Sequence, residues 1–365
     1  MRNILKTIFP CASISLSLVT AGLLFALSAL ASAQDSEDRV VESDTHRFVE
    51  MADGVWQVTG TGSVYTMSNA MVLVGEFDVL VVDSHVTPAA ARALLESLKV
   101  ITDLPVRYLV NSHYHFDHAH GNQSFPDNVE IIGHTYTRDK LSGRSGNVLE
   151  EATFKSFTDG VPATVARLAE QAANESNPAR KAQLQEMHRV QNEYMISTRE
   201  IRPTPPNITL EKEMTLFQVV ARGSREIQLL HFGRGHTGGD VVIYLPQERV
   251  VFTGDFLLPS LSYMGDGFVN DWPASLEGLK SLDFDIVLPG HGAPVRGKEK
   301  IGHFQAYLTD LWSKTETLKN QGLSAEEAAQ KIDLSNHSGN YAQIRGPGAD
   351  VRAIRRIYQL LDNPE

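Results

Sequence analysis

The chain has 365 residues and a formal net charge of −11, with 44 acidic and 33 basic side chains. This acidic balance, with no basic stripe to offset it, argues against nucleic acid or anionic lipid as a partner. Hydrophobic residues make up 42% of the chain, which is ordinary for a globular protein and excludes a disordered or fibrous one.

The first segment has the three parts of a secretory signal peptide. Arg2 and Lys6 precede an apolar stretch over residues 8–30, and small residues follow at 31–33. An uncleaved membrane anchor is the alternative, but the polar residues after the small-residue site favour cleavage. We therefore predict a signal peptide over residues 1–33.

The predicted mature chain covers residues 34–365, and it contains no cysteine because Cys11 would leave with the signal. It would therefore have no disulfide, no thiolate ligand and no cysteine nucleophile. No later stretch is long and apolar enough to span a bilayer. We expect a periplasmic or secreted protein that makes no membrane contact after cleavage.

Short apolar runs followed by polar residues predict strands in the first third of the chain. These runs are Val55–Val58, Val64–Val74, Val79–Asp83 and Val106–Val110. A helix over Ala89–Lys99 is predicted between the last two, because Thr87-Pro88 suits a helix start. The alternation of strand, helix and strand predicts a layered α/β protein.

Residues 138–206 have a different, helical character. Apolar residues at helical spacing predict one helix over Ala179–Arg199, which starts at Asn177-Pro178, and another over Ala163–Asn174. We interpret 138–206 as a helical insertion, which serves either as a packing element or as a lid over a nearby site.

Strand patterns return after the insertion and are followed by helices. The predicted strands are Ile227–Phe232, Val241–Leu245, Arg249–Thr253 and Asp285–Leu288. The predicted C-terminal helices, within residues 298–365, are Lys298–Asn320, Ser324–Ile332 and Asp350–Leu361.

The most informative motif is N-S-H-Y-H-F-D-H-A-H-G-N, over residues 111–122. It places His113, His115, Asp117 and His118 within six positions, directly after a predicted strand. Imidazole and carboxylate groups are the ligand types that zinc and similar divalent ions prefer. The motif therefore predicts a metal site at the end of that strand.

Three later signals share one design, in which a strand ends and a loop presents a ligand. They are His236 in G-H-T-G-G-D, Asp255 in T-G-D and His291 in P-G-H-G. Glycine lets the backbone approach closely or adopt positive φ, which suits a ligand loop. With the first motif, the order becomes H-x-H-x-D-H, then H, D and H, and this ordered set is highly specific.

These residues and their order resemble the metallo-β-lactamase superfamily, over most of the predicted mature chain apart from the insertion and part of the C-terminus. The resemblance implies an α/β fold, an αββα sandwich of two mixed β-sheets flanked by helices, with a dinuclear site along one edge. The implied ligands are His113, His115 and His236 for one metal ion, Asp117, His118 and His291 for the other, and Asp255 as the bridge.

Two Zn²⁺ ions are the expected cofactors, with Fe or Mn as alternatives. Two metal ions can share a water and lower its pKa, so that a metal-bound hydroxide exists at working pH and attacks a carbonyl polarised by one metal. Asp117 is the predicted catalytic residue, because it is both a ligand and placed to orient this nucleophile. No serine or cysteine nucleophile is needed.

Several other side chains lie near the ligand motifs in sequence. Asp83 is either an acid that fixes a ligand imidazole or a turn-capping residue. His120 and His134 are interpreted as flanking residues rather than ligands. His85 either lines the substrate pocket or, as we prefer, lies on the surface, and Arg234 is an anion contact or a surface residue. His46, His188, His231, His303 and His337 have no supporting context.

The expected function is an exported dinuclear zinc hydrolase that cleaves an ester, lactone, thioester or amide bond of a small-molecule substrate. Asp255 at the bridging position resembles glyoxalase II-like and lactonase-like members, so hydrolysis of β-lactams is the second hypothesis. A diiron redox protein and a non-catalytic binding protein are further alternatives. The short region after His291 argues against the first, and the complete ligand set argues against the second. The sequence indicates neither the substrate nor the oligomeric state.

Overall fold

The computed structural model describes residues 39–363, so the predicted signal peptide over 1–33 lies outside the described residues. The strands are β1 (Val40–Glu42), β2 (His46–Ala52), β3 (Val55–Gly60), β4 (Ala70–Val74), β5 (Val79–Val82), β6 (Val106–Val110), β7 (Glu130–His134), β8 (Ile208–Leu210), β9 (Glu213–Val220), β10 (Gly223–Leu230), β11 (Val242–Leu245), β12 (Val250–Gly254), β13 (Ile286–Pro289) and β14 (Val295–Arg296).

The helices include two long ones and several short ones. They are α1 (Pro88–Ser97), α2 (Phe116–Ala119), α3 (Thr135–Leu141), α4 (Ala152–Thr158), α5 (Val161–Asn174), α6 (Pro178–Thr198), α7 (Trp272–Ser281), α8 (Glu299–Asn320), α9 (Ala325–Lys331) and α10 (Val351–Asp362). Among the described helices, none combines the length and apolar character needed to cross a bilayer.

The strands form two mixed sheets. In the first, β1 to β8 lie side by side in chain order, antiparallel as far as β5 and parallel from β5 to β8. In the second, the order is β14-β13-β12-β11-β10-β9, and only β12 and β13 run parallel. Parallel neighbours bring the carboxyl ends of their strands to one edge of each sheet, and the loops after β6, β12 and β13 begin there.

The core has three layers of contact, which follow from the alternation of side chains along each strand. On β11, Ile243 and Leu245 point between the two sheets, where they meet Leu73 and Val82 of the first sheet. The opposite face of the second sheet packs on the C-terminal helices, and the opposite face of the first sheet packs on α1. Side chains alternate between the two faces of a strand, and both faces of these sheets are covered by another layer. The central strands are therefore apolar on both faces. The predicted αββα sandwich is confirmed.

One predicted strand is partly wrong. The sequence pattern predicted a strand over Val64–Val74, but β4 begins only at Ala70. Met67 has a φ of 67°, a left-handed conformation that a strand does not accommodate. Residues 64–69 instead form a loop, in which the Met67 carbonyl contacts His291 Nδ1 and the Ser68 hydroxyl contacts the Asp117 carbonyl.

Several elements were not predicted from the sequence, among them β2, β7, β9 and α7. Strand β9 shows why, since its burial alternates regularly but the apolar residues Phe217 and Val219 lie on the exposed face and Gln218 on the inner one. Its strand conformation comes from an eight-residue antiparallel pairing with β10. That pairing is a tertiary feature which periodicity does not reveal.

The segment 138–206 contains α4, α5, α6 and the end of α3. Val161, Val165 and Tyr194 of this segment pack against Val86 of the first sheet's edge and Phe116 of α2. The helices therefore lie against the element that carries two of the candidate ligands.

Candidate metal centre

The structure brings all seven predicted ligands into one small volume. Asn111 to His118 follow β6 directly, and the turn there starts α2 with His115 at its N-cap. The positions are His113 and His115 after β6, Asp117 and His118 on α2, His236 in the β10–β11 loop, Asp255 after β12 and His291 after β13. Six of the seven are buried, and the His291 side chain is 30% exposed.

The ligand atoms form three overlapping groups of three, of which His113, His118 and Asp255 form one and the two that share no residue form the others. His113, His115 and His236 form one, which we call the imidazole group. Asp117, His118 and His291 form the other, which we call the acidic group. Within each group, one ring nitrogen or carboxylate oxygen per residue lies within 4.8 Å of the others. Each group therefore offers three donors to one ion.

Asp255 lies between the two groups. Its Oδ1 is 3.4 Å from His118 Nε2 in the acidic group. Its Oδ2 is 3.7 Å from His236 Nε2 in the imidazole group and 3.4 Å from His291 Nε2. The two oxygens of one carboxylate thus reach donors of both groups, which is the geometry that a bridging ligand requires.

Two of the three rings in the imidazole group have a lowered pKa and are neutral. Burial lowers the pKa of His113 well below its usual range, and the neighbouring imidazoles of His118 and His236 lower it further. Burial, assisted by His115, lowers the pKa of His236 to about 3. Neutral imidazole is the form that binds a metal ion, so this group does not lose a proton from these two rings on binding.

The acidic group has the opposite electrostatics. Burial alone would raise the pKa of Asp117, but the neighbouring His118 and His291 outweigh it and hold the pKa well below the usual range. Burial would lower the pKa of His118, yet the three carboxylates of Asp117, Asp255 and Asp83 raise it well above that of a free imidazole. The protons on this group supply positive charge where a cation would otherwise do so.

Two observations test whether the residues fit metal ions. In the described part of the chain, His113 Nε2, His118 Nε2 and Asp255 Oδ1 are buried polar atoms without a hydrogen-bond partner. Such atoms are costly unless something binds them. A Cβ on Gly290 would lie 2.4 Å from Asp255 Oδ1 and 2.8 Å from His118 Cε1, so the glycine keeps this space open. The residues fit two divalent cations.

Every candidate ligand imidazole has its outer nitrogen fixed by another group, as metal-binding histidines commonly do. The contacts are His113 Nδ1 to Ser112 Oγ at 3.0 Å, His115 Nε2 to Asp266 Oδ2 at 3.1 Å, His118 Nδ1 to Asp83 Oδ2 at 2.7 Å, His236 Nδ1 to the Tyr263 carbonyl at 2.9 Å, and His291 Nδ1 to the Met67 carbonyl at 3.1 Å.

Asp83 has the outer role that the sequence left open. It is fully buried, has a left-handed φ of 65°, and accepts hydrogen bonds from His118 Nδ1 and from both the backbone N–H and the hydroxyl of Ser112. Through Ser112 it also supports His113. One carboxylate therefore holds a ring of each group.

The preferred surface role of His85 is wrong. His85 is completely buried and stacks on His46, which is also buried, with 3.2 Å between their Nε2 atoms. Its Nδ1 lies 3.3 Å from Ser68 Oγ, and that hydroxyl donates to the backbone carbonyl of Asp117 at 2.5 Å. His85 therefore supports a ligand from behind rather than meeting solvent.

The remaining candidates are placed outside the ligand set. His120 is buried beside Phe154 and has no hydrogen-bond partner on either ring nitrogen in the described structure. His134 caps α3 and packs on His231 with 4.2 Å between ring centroids. Arg234 forms an ion pair with Asp271 and lies over the Phe268 ring.

Sequence reasoning missed Asp266, Tyr263 and Met67, which hold ligand rings through one carboxylate and two backbone carbonyls. Only Asp266 had a visible signal, since it stands between two glycines in a loop. A backbone carbonyl that accepts such a hydrogen bond leaves no mark on residue type, because every residue has a carbonyl.

Comparisons with known proteins identify a family and several similar proteins. The family model of the metallo-beta-lactamase superfamily matches residues 65–291. A linear primary-alkylsulfatase from Pseudomonas sp. is 24% identical over 302 residues, which are 77% of this chain and 53% of the relative. The alpha subunit of a 2,4-dinitroanisole O-demethylase from Nocardioides sp. is 22% identical over 352 residues, 91% of this chain and 83% of the relative.

Among solved structures, a stereoselective inverting sec-alkylsulfatase from Pseudomonas sp. shares the fold. The TM-score is 0.56 at 18% identity, and the match covers 86% of this chain and 49% of that chain. This chain thus spans about half the length of the alkylsulfatases that it matches. With more than half of its residues matched by the family model, the chain belongs to the metallo-β-lactamase superfamily.

Proposed function

We propose that the protein is a dinuclear zinc hydrolase of small ester substrates. The observation that carries the proposal is a set of buried ligand atoms that make no hydrogen bond, His113 Nε2, His118 Nε2 and Asp255 Oδ1, on three residues that lie close enough together to share an ion. A protein that only binds a partner has no need for buried donors without hydrogen bonds.

The imidazole group would hold one ion and the acidic group the other, with Asp255 shared between them. When bound, the ions would supply Lewis acidity toward both water and the substrate oxygen. Asp117 Oδ2, 3.0 Å from His291 Nε2, is an ionised carboxylate at the more exposed side of the centre. It is placed to orient a water and accept its proton at Oδ2.

The outer hydrogen bonds keep the geometry of this centre constant. Asp83 and Asp266 accept from His118 and His115, so each ring presents its other nitrogen to the ion in one tautomer. The burial of both rings excludes bulk water, which strengthens electrostatic interactions at the reacting atoms.

Sulfate esters are the first substrate class to assay. Two of the similar proteins are alkylsulfatases, which act on this class, and the centre needs only an ester oxygen and an anionic leaving group. Carboxylic esters, lactones, thioesters and amides follow. Hydrolysis of β-lactams stays the second hypothesis, because Arg234, the candidate contact for a substrate carboxylate, is already paired with Asp271.

The deciding experiment measures metal content and hydrolysis on the same purified protein. About two zinc ions per chain, together with turnover of one ester class, would support the proposal. An Arg222→Gln variant, which changes an exposed residue without a partner in the described structure, is the control and should keep the same metal content and turnover. Visible absorption with iron in place of zinc would favour the redox alternative, and metal-free protein without turnover would contradict the proposal.

We further propose that the mature protein is exported. The charged, apolar and small-residue parts of residues 1–33 support this proposal. N-terminal sequencing of protein from the periplasmic or culture fraction should start at Gln34. A chain that retains Met1 in the cytoplasm would contradict export without affecting the hydrolase proposal.

A further inference from the structure

A cleft of about 710 Å³ lies beside the metal centre and has no part in the chemistry described above. Its walls come from α4 in the insertion, from the loop after β12 and from the segment that leads into α10. Its volume lies in the range of about 300–1,000 Å³ that is usual for small-molecule sites.

The walls of the cleft are largely aromatic and aliphatic. Phe157, Leu261, Tyr263, Met264 and Ile344 line it. Phe157 is among the few large apolar side chains that the described structure leaves exposed, at 38%. An exposed aromatic ring inside a concave surface is a feature of binding sites, because a ligand can cover it.

The cleft also carries a cation that is free to bind an anion. Arg345 lines the cleft, is exposed, and in the described part of the chain makes no hydrogen bond, ion pair or cation–π contact. Arg352 is different, since it pairs with Asp350 and lies over the Tyr263 ring at 4.8 Å. Two arginines therefore face one carboxylate, in a chain that is acidic as a whole.

The cleft is one layer of side chains away from the candidate ligands. The Phe157 ring is 5.3 Å from Phe116, which stands between His115 and Asp117 in the chain. The Tyr263 ring is 6.1 Å from the His115 ring, between centroids. The Tyr263 carbonyl also holds a ligand ring, as described above. An occupant of the cleft would thus touch Phe157 and Tyr263, the two residues that separate the cleft from the metal centre.

We propose that this cleft binds an amphipathic anion, with an aromatic or aliphatic body against Phe157 and Tyr263 and an anionic group at Arg345. The proposed binding does not depend on the proposed hydrolase activity. Its role rests on the proposed function: the cleft holds the part of the substrate that is remote from the scissile ester. This assigns a substrate with a large apolar body and a distal negative charge.

Calorimetry on the purified full chain tests the proposal with two matched probes, 4-phenylbutyrate and the uncharged 4-phenylbutan-1-ol. Arg345→Gln should weaken 4-phenylbutyrate binding about fivefold or more, since a charge-assisted hydrogen bond is lost, and leave the alcohol within about twofold. Phe157→Ala should weaken both probes. Arg222→Gln, which removes an exposed arginine elsewhere, should change neither.

Equal effects of Arg345→Gln and Arg222→Gln on 4-phenylbutyrate would overturn the proposal, and so would an equal loss of both probes in Arg345→Gln. Circular dichroism checks that each variant is folded. Ester hydrolysis by the same preparations separates the two ideas. Arg345-dependent binding without any hydrolysis contradicts the proposed function alone, whereas hydrolysis without Arg345-dependent binding contradicts the cleft alone.

Discussion

The two groups of candidate ligands are built from similar residues, but their histidines differ in protonation state. The imidazole group contains three histidines, two of which burial and their neighbours keep neutral. The acidic group contains a carboxylate and two histidines whose pKa values are raised by Asp117 and Asp255, that of His291 to about 10 despite its burial. Two rings of the imidazole group can therefore bind a cation without losing a proton. The two rings of the acidic group hold protons that a cation would have to displace.

The difference shows that ligand identity alone does not define a metal site. His113 and His118 are five positions apart and both are fully buried, yet their pKa values shift in opposite directions. The cause is the number of carboxylates that face each ring.

Removal of a ligand from the acidic group should have the largest effect. His118→Ala removes one ligand and leaves Asp117 and Asp255 without their shared partner, so we expect kcat/KM to fall by more than about a hundredfold, beyond the loss of an outer contact. Metal analysis should show one ion fewer per chain. His303→Ala, on an exposed histidine of α8, is the control. Unchanged metal content and activity in His118→Ala would contradict the dinuclear assignment.

The outer carboxylates should separate the two groups. Asp83 supports rings in both groups and is fully buried, whereas Asp266 supports only His115 and is partly exposed. Asp83→Asn should therefore lower zinc affinity by up to about a hundredfold, and Asp266→Asn by about tenfold. Competition with a chromophoric chelator measures both. A larger loss in Asp266→Asn would refute this ranking of the two contacts.

Metal uptake should depend on pH differently in the two groups. Above neutrality His236 has already lost its proton, since its pKa is about 3, and the pKa of His113 is also held low, so neither ring should make affinity at the imidazole group depend on pH. His291 has a pKa raised to about 10 and keeps its proton until the pH approaches that value. Zinc must displace this proton and the one that the raised pKa of His118 retains, so affinity at the acidic group should rise up to about tenfold per pH unit for each of the two protons.

Calorimetric titration of the metal-free protein, in buffers of different ionisation enthalpy, measures the released protons. The first equivalent of zinc should release fewer protons than the second. Equal release by both equivalents would remove the electrostatic distinction between the groups.

The smallest effect should come from the hydrogen bond behind Asp117. Ser68→Ala removes the hydroxyl that donates to the Asp117 carbonyl and contacts His85. Loss of one neutral hydrogen bond costs about 0.5–1.5 kcal/mol, so we expect a two- to tenfold fall in kcat. Ser63→Ala, one residue before this loop, removes a half-exposed hydroxyl that contacts Thr61 and Asp44 and no candidate ligand, so it should leave kcat unchanged. A loss as large as that of His118→Ala would mean that Ser68 acts directly at the centre.

The fold and the ligand set were readable because their signals are local. Val79–Val82 is a short apolar run that is buried on both faces of its sheet, Val106–Val110 ends in two buried apolar residues, and the candidate ligands stand within eight residues of a strand end. The error at Val64–Val74 was equally local in origin. Apolar residues continue through Met67, and nothing in residue type marks its left-handed backbone.

By itself, the sequence indicated the superfamily through a resemblance, and with it the sandwich and the seven candidate ligands, since the ligand motifs that carry the resemblance are properties of short segments. Only the tertiary structure decided which groups fix those ligands and what charge they carry. His115 and Asp266 are 151 residues apart, and His118 and Asp83 are 35 apart. The folded sheets bring these pairs together in a buried environment, where each nearby carboxylate changes the pKa of a ring.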